Sequence, residues 1–191
     1  SSNNVNTAAV LKANAYGLGL NQIATILRRI GVKNFFVATI KEGVKLRKLI
    51  KNEGKIYILN GAQKDDIFKI KEFNLIPILF DQNTIISFNK MNFKFAIQVE
   101  IGMNRLGIEA SKLFEIKNNI KLDNLDLLIG HFSSADKKNA PENQIQYNNF
   151  SNISKIFKNT KLSLCATAGI VNFKKHHHDL TRPGIGLYGG F

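Results

Sequence analysis

Short apolar runs alternate with amphipathic segments along most of this chain, and this alternation limits the possible folds more than any other feature. Runs that are apolar on both faces are typical of buried parallel strands, and apolar residues three or four apart indicate helices packed on a sheet. The alternation therefore predicts a parallel sheet with helical crossovers. Eight predicted strands favour a closed (β/α)8 barrel, with a doubly wound open sheet as the alternative.

The predicted elements leave few long loops. The strands cover residues 8–11, 34–40, 55–59, 75–80, 95–101, 125–131, 162–167 and 185–189. The helices cover residues 21–30, 41–51, 63–72, 82–90 and 110–118, and a further helix begins at Pro141. Pro77 weakens the fourth strand because proline removes a ladder donor, and the polar residues 1–6 are expected to fray.

Length and composition predict one domain, residues 1–191, with a sizeable core, because 44% of the residues are hydrophobic. The sequence shows no apolar stretch long enough to span a membrane and no signal-peptide pattern. A single cysteine, Cys165, excludes an internal disulfide and suits a reducing cytoplasm. Because it lies in an apolar run, Cys165 is predicted to be a core residue.

The net charge of +13 raises nucleic acid as a partner, but the distribution of cations argues against it. Lysines outnumber arginines and are scattered, as on solvated helix faces, without an aromatic-interleaved basic cluster. The arginines on helical segments, Arg28, Arg29 and Arg47, are predicted to be replaceable by lysine. Arg105 and Arg182 stand in glycine-rich contexts near strand ends, where a planar guanidinium fork can be required.

One lysine stands at a predicted strand end. Lys12 follows the apolar run 8–11, so its stem is expected to lie against the core. Burial disfavours the ammonium form, which makes such a lysine a candidate nucleophile for a Schiff base with an aldehyde cofactor. Gly17 and Gly19 allow a tight turn and close approach to a ligand. The alternative is a strand-end lysine that points into solvent.

Other chemically versatile residues also follow strands, and a barrel places its active site at the carboxyl ends of its strands. Residues 102–107 present Arg105 between two glycines, either to anionic oxygens of a ligand or to Glu100. His131 ends the sixth strand and can donate a hydrogen bond or relay a proton. No residue set has the spacing of metal ligands, and the run of histidines 176–178 is predicted to be an exposed loop.

The last two predicted strands supply candidate phosphate donors. Barrels often bind phosphate after strands seven and eight, through main-chain N–H groups and a hydroxyl. Thr167 offers the hydroxyl, and Gly184 with its neighbours offers main-chain N–H groups. Together with Lys12, these residues indicate a cofactor that carries both an aldehyde and a phosphate, namely pyridoxal 5'-phosphate.

Four blocks in this order resemble the signature blocks of alanine racemase: KANAYGLG at 12–19, GMNRLG at 102–107, HFSSAD at 131–136 and RPGIGLYG at 182–189. The resemblance implies that Lys12 holds the cofactor covalently and acts as one of two bases on the substrate Cα. It implies that Arg105 binds the cofactor's phenolic oxygen and the substrate carboxylate, and that His131 joins a hydrogen-bond chain. Arg182 would face the pyridine nitrogen. The phosphate would be held by Tyr16, Thr167, Gly184 and Ile185.

The chain also departs from the family pattern. Gln98 replaces a family lysine that, when carbamylated, helps to position the arginine, and Ala166-Thr167 replaces an Asn-Ser pair. The family's opening strand and helix and its C-terminal β domain are not in this chain. In the family, that β domain supplies the second base, a tyrosine, from the other subunit of a homodimer. The chain is therefore expected to be a fragment that forms little D-alanine by itself.

The resemblance implies a cytoplasmic isomerase that interconverts L- and D-alanine for peptidoglycan synthesis, without a nucleic-acid or membrane partner. A racemase for another small amino acid is the first alternative, since contacts to the substrate carboxylate and amine ignore the side chain. A non-catalytic module that binds pyridoxal phosphate is a second alternative, although such proteins usually lack the extended block at 12–19.

Overall fold

The computed structural model describes residues 5–190, which form two compact units. Residues 7–78 and 182–190 form one unit (the Lys12 unit), and residues 5–6 and 79–181 form the other (the Arg105 unit). A short first strand, β1 (Asn6–Thr7), has one residue in each unit. Among the described residues, no helix is both long and apolar enough to cross a membrane.

The Lys12 unit alternates strands and helices as the sequence predicts. The elements are β2 (Ala9–Val10), α1 (Lys12–Tyr16), α2 (Leu20–Arg29), β3 (Asn34–Val37), α3 (Ile40–Ile50), β4 (Lys55–Ile58), α4 (Ile67–Glu72) and β5 (Ile76–Leu79), whose last residue falls in the Arg105 unit. Neighbouring strands pair in parallel from β2 to β5. Pro77 lies within β5, opposite Ile58, so the fourth predicted strand forms despite the missing donor.

Apolar burial explains why these segments form the core of the Lys12 unit. Phe35, Phe36, Ile56 and Ile58 are at most 1% exposed, as expected for strands covered on both faces. Helix α3 turns Leu46 and other apolar residues inward and begins at a capping box, in which Thr39 accepts the N–H of the third helical residue. The helix is thereby fixed at its start and along its buried face.

Arg47 on α3 contradicts the prediction that the helical arginines are replaceable by lysine. Its side chain is 7% exposed, and burial lowers the pKa of its guanidinium. The guanidinium donates hydrogen bonds of 2.9–3.2 Å to main-chain carbonyls at the ends of α3 and α4 and in the segment after α3. These acceptors belong to Lys51, Glu53, Gly54, Phe73 and Asn74.

The Arg105 unit continues the same pattern. Its elements are α5 (Gln82–Lys90), β6 (Phe95–Gln98), α6 (Ala110–Asn119), β7 (Leu125–Ile129), α7 (Pro141–Ser154), β8 (Lys161–Ser163), α8 (Thr167–Asn172) and β9 (Leu180–Thr181). β6, β7 and β8 pair in parallel. Phe95, Ile97, Leu128 and Phe150 are fully buried between these strands and helices. Cys165 is also buried, which confirms its predicted place in the core.

The predicted eighth strand is wrong. Residues 185–188 form a short 3-10 helix, in which Leu187 donates its N–H to the carbonyl of Gly184. Several predicted strands are also too long, because their polar or glycine-bearing ends leave the ladder; Thr167, for example, begins α8. Residues 1–6 were predicted to fray, and the first four of them lie outside the described residues. Asn6 belongs to β1 and donates its N–H to the carbonyl of Asp179.

Candidate active site

The short element α1 is, after Lys12, a left-handed turn rather than a right-handed helix. Residues 13–16 (Ala, Asn, Ala and Tyr) have φ between 52° and 56°, although none of them is glycine. Left-handed backbone costs L-residues roughly 1–2 kcal/mol each, so a run of four persists only where its surroundings hold it. Hydrogen bonds from Ala15 to the carbonyl of Leu11 and from Gly17 to that of Ala13 close the turn.

Side chains brace the left-handed turn at both ends. The Asn14 side-chain oxygen accepts the N–H of Leu20 at 2.9 Å, which ties the turn to α2. The N–H of Ala13 donates to Glu42 Oε1 at 2.8 Å, which ties the turn to α3. Gly17 and Gly19 continue the positive φ values beyond the turn, as the sequence predicts for a tight approach.

Lys12 itself is exposed, so the predicted burial of its stem is wrong. The buried residues around β2 end at Leu11, one residue beyond the strand. The left-handed turn begins immediately after Lys12. The Nζ atom lies 5.8 Å from the centroid of the Tyr16 ring. The turn therefore presents the amine above an aromatic face at the surface of the Lys12 unit.

Tyr16 packs against the 182–190 segment. Its ring contacts that of Tyr188 with centroids 5.2 Å apart, and the Tyr188 hydroxyl donates to the carbonyl of Val10 at 3.0 Å. Burial raises the pKa of Tyr16, and burial together with the neighbouring Tyr16 raises that of Tyr188 to about 12. A Cβ atom on Gly184 would collide with the Tyr16 hydroxyl, so glycine at this position makes room for it.

The remaining candidates of the Lys12 unit lie on the same segment. Arg182 is 5% exposed, and the next residue, Pro183, accepts the N–H of Val10 at 3.0 Å. Ile185 is 45% exposed and begins the 3-10 helix. The structure thus brings Tyr16 and Gly184 into contact and places Arg182 and Ile185 directly beside Gly184 in the chain.

In the Arg105 unit, the loop that carries Arg105 is organised by the carboxylate of Glu100. This carboxylate accepts the N–H groups of Gly102 at 2.5 Å and Met103 at 2.7 Å. Burial raises the pKa of Glu100, but hydrogen bonds from four consecutive main-chain N–H groups, residues 102–105, outweigh it and leave the pKa below its usual range. Glu100 therefore holds the loop as an anion while the Arg105 side chain lies exposed.

The same loop closes back onto β6. Ile108 donates its N–H to the carbonyl of Gln98 at 2.9 Å and accepts that of Glu100 at 3.0 Å. The side chain of Gln98, 8% exposed, donates to the carbonyl of Leu106 at 2.8 Å. The Gln98 side chain thus bonds to the main chain of the residue next to Arg105.

Polar residues on α7 hold the loop after His131, and sequence reasoning missed them. Gln146, 1% exposed, accepts the N–H of Ser133 at 3.0 Å and donates to its hydroxyl at 2.8 Å. Asn143 donates to the carbonyls of Ser134 and Lys137 at 3.1 and 2.8 Å. The three-residue spacing of the two amides on one helix was the available signal.

His131 and the start of α8 line a common cavity of about 120 Å³. Thr167 is half-buried as the first residue of α8. The residues around this cavity are His131, Phe132, Ser133, Ala135, Asp136, Ala166, Ala168 and Gly169. The structure thus places the block 131–136 beside the start of α8, although Thr167 itself does not line the cavity.

The three consecutive histidines do not form the predicted exposed loop. His177 is 3% exposed, the His176 ring stacks on Tyr147 with centroids 3.7 Å apart, and His178 meets Phe150 edge-on. Aromatic partners on α7 thus draw the segment inward. Burial lowers the pKa of His176 and of His178, although Asp179 partly opposes this for His178. Within residues 5–190, no group of three His, Cys, Asp or Glu side chains is placed to hold a metal ion.

Acid is expected to destabilise the protein through His176 and His178. Their folded-state pKa values lie below those of the unfolded chain, so the unfolded state takes up protons first. The free energy of unfolding should be greatest above the unfolded pKa of about 6.5 and fall as pH drops below it. Urea denaturation at pH 7.5 and 5.5 measures this, and the double variant H176F/H178F should show a smaller fall; an unchanged fall would contradict the assignment.

In this chain, parallel strands alternate with helices, and a lysine is exposed directly after a strand. The fold confirms the predicted class, an incomplete (β/α)8 barrel. Residues 1–191 match the family described as "Alanine racemase, N-terminal domain". The chain belongs to this alanine racemase N-terminal domain family.

Two curated relatives illustrate the similarity. The chain is 37% identical to an alanine racemase from Rickettsia bellii over 195 residues, covering 97% of this chain and 48% of the relative. It is 35% identical to a biosynthetic alanine racemase from Agrobacterium fabrum, covering 96% of this chain and 49% of the relative. The chain therefore spans about half the length of the curated relatives it matches.

Solved structures of alanine racemases are also similar to this chain. The crystal structure of alanine racemase from Bartonella henselae with covalently bound pyridoxal phosphate matches with a TM-score of 0.89 at 30% identity, covering 97% of this chain and 54% of that one. Alanine racemase from Acinetobacter baumannii matches with a TM-score of 0.88 at 27% identity, covering 97% of this chain and 57% of that one.

Proposed function

We propose that this chain is the pyridoxal-phosphate-binding domain, residues 1–191, of an enzyme that racemises alanine. The observation that carries the proposal is the left-handed turn, which presents the exposed amine of Lys12 beside Tyr16. Membership of the alanine racemase N-terminal domain family supports it, as does the Bartonella henselae relative with its covalently bound cofactor. Bound pyridoxal phosphate supplies an electron sink that acidifies the Cα–H of an amino acid.

The residues of the Lys12 unit suit such a cofactor. The exposed amine of Lys12 is accessible to an aldehyde, and we assign Lys12 to the covalent bond with it and to moving the proton at the substrate Cα. The buried main chain of Gly184 lies beside the Tyr16 hydroxyl, where a side chain would not fit, which suits a phosphate held by Tyr16, Gly184 and Ile185. We assign Arg182 to the pyridine nitrogen, where a guanidinium that keeps its protons leaves the nitrogen unprotonated.

The residues of the Arg105 unit complete the assignment. Arg105 would bind the substrate carboxylate and the phenolic oxygen of the cofactor, for which its fork of donors is suited. Its exposed side chain stands on a loop fixed by Glu100 and Gln98. His131 would hydrogen-bond within the site, and the Thr167 hydroxyl would join the phosphate ligands.

For the whole protein, we propose a homodimer in the cytoplasm that supplies D-alanine for peptidoglycan synthesis. The biosynthetic alanine racemase among its relatives supports this reading. A second base, contributed by residues beyond this chain, would act on the opposite face of the substrate Cα from Lys12. This chain by itself should therefore form little D-alanine.

Borohydride reduction with pyridoxal phosphate, followed by peptide mapping, tests the cofactor assignment. We expect one pyridoxyl group per chain, on Lys12. The variant K12R keeps the positive charge but should lose the label, whereas K41A, which removes another exposed lysine of the same unit, should keep it. Labelling spread over surface lysines, or retained in K12R, would refute the assignment.

A further inference from the structure

One carboxylate on α3 links the residue after Lys12 to the end of β3. Glu42 Oε1 accepts the N–H of Ala13 at 2.8 Å. Its second oxygen accepts the N–H groups of Ala38 at 2.7 Å and Thr39 at 3.1 Å. Glu42 therefore joins three main-chain N–H groups from two separate segments of the Lys12 unit.

Helix capping accounts for only part of this arrangement. A capping box requires the bond from Thr39 N–H to Glu42 and the return bond from Glu42 N–H to the Thr39 hydroxyl, which is 3.2 Å long. The bond from Ala13 does not stabilise α3, because Ala13 lies 29 positions earlier in the chain. An ionised acceptor makes this bond stronger than one between neutral groups.

The site of the extra bond is the point at which the strained backbone begins. Ala13 is the first residue with positive φ, at 52°, and its amide nitrogen belongs to the peptide bond that leaves Lys12. Strained backbone persists only where several contacts over-determine it. A contact at the first strained residue controls the direction of Lys12 more directly than the Asn14 bond to Leu20, which lies beyond the turn.

We propose that Glu42 is a positioning residue for Lys12: its carboxylate fixes the first residue of the left-handed turn and so holds the amine where it meets the cofactor. This inference rests on the proposed function of Lys12. Glu42 need not touch cofactor or substrate, because it acts through the main chain of Ala13.

Three variants separate positioning from capping. T39A removes the hydroxyl of the capping box but leaves the carboxylate on Ala13, whereas E42A removes both. E42Q keeps the length of the side chain and one carbonyl oxygen but loses the charge and the second acceptor. T39A is thus the matched control for the loss of helix stability, and E42Q remains informative if E42A folds poorly.

Two measurements on the 191-residue chain decide the question. Amide hydrogen exchange without cofactor should be about tenfold faster at Ala13 in E42A than in wild type, with E42Q in between and T39A near wild type. The rate at which borohydride traps pyridoxal phosphate on Lys12 should fall about tenfold in E42A, but less than about twofold in T39A.

Equal exchange and trapping rates in E42A and T39A, with Lys12 labelled in both, would overturn the inference alone, because Glu42 would then only cap α3. In the event that E42A does not fold, equal rates in E42Q and T39A would overturn it in the same way. Failure of the wild-type chain to take up label on Lys12 would overturn the proposed function, and the inference with it.

Discussion

Replacing Arg47 by lysine is expected to lower the free energy of unfolding by about 2–3 kcal/mol, although the charge is kept. The Arg47 guanidinium is buried and donates to main-chain carbonyls at the ends of two helices and in the segment after α3. A lysine has three donors on one atom and cannot reach acceptors spread around a planar fork. The carbonyls left without a partner would be the main source of the loss.

Urea denaturation with an exposed arginine as control measures this effect. R29K changes a residue on the solvent side of α2 and should alter the free energy of unfolding by less than about 0.5 kcal/mol. For R47K, a fall in melting temperature of about 5–10 °C should accompany the loss. Equal effects of R47K and R29K would show that the carbonyl contacts contribute little.

Alanine at position 107 is expected to lower the free energy of unfolding by about 3 kcal/mol. Gly107 has a φ of +148°, and a Cβ atom there would lie 2.5 Å from the nitrogen of Glu100 and 2.7 Å from the carbonyl carbon of Val99. Both obstacles are main-chain atoms, so the loop must move. The bonds that Ile108 makes with Gln98 and Glu100 would be lost first.

Gly31 provides the matched control, because its φ of +90° is also positive but nothing lies within 4 Å of a Cβ atom there. G31A should lower the free energy of unfolding by only about 1 kcal/mol, because the positive φ is unfavourable for alanine but no atom blocks its Cβ. Hydrogen exchange should be faster at Glu100 and Ile108 in G107A and unchanged there in G31A. Similar losses of stability in the two variants would refute a steric origin.

Periodicity and burial made much of the fold predictable from sequence. Apolar runs identified the parallel strands β2 to β8, and helices such as α5, Gln82–Lys90, have their predicted bounds. The strand prediction for residues 185–189 is wrong because Ile, Leu and Tyr favour a strand by composition, whereas the glycines among them permit a 3-10 turn. Periodicity describes a segment's faces and does not detect main-chain freedom of this kind.

The candidate site was less predictable, because its supports are tertiary contacts. Arg47, outside the site, shows the same difficulty: four of its five acceptors lie beyond its own helix, so the pattern of that helix gives no sign of its burial. Gln146 looks like an ordinary polar residue on the face of an amphipathic helix. The left-handed turn follows from no residue propensity, since alanine and tyrosine disfavour it and only surrounding contacts maintain it.

The bond between the Tyr188 hydroxyl and the carbonyl of Val10 joins residues 178 positions apart. With the bond from Val10 N–H to Pro183, it means that β2 receives these partners only after synthesis has reached Tyr188. Loop-closure entropy makes such long-range contacts slow to form. The lysine-bearing end of β2 is therefore expected to mature late in folding, after the local β3–β4 and β6–β7 pairs have formed.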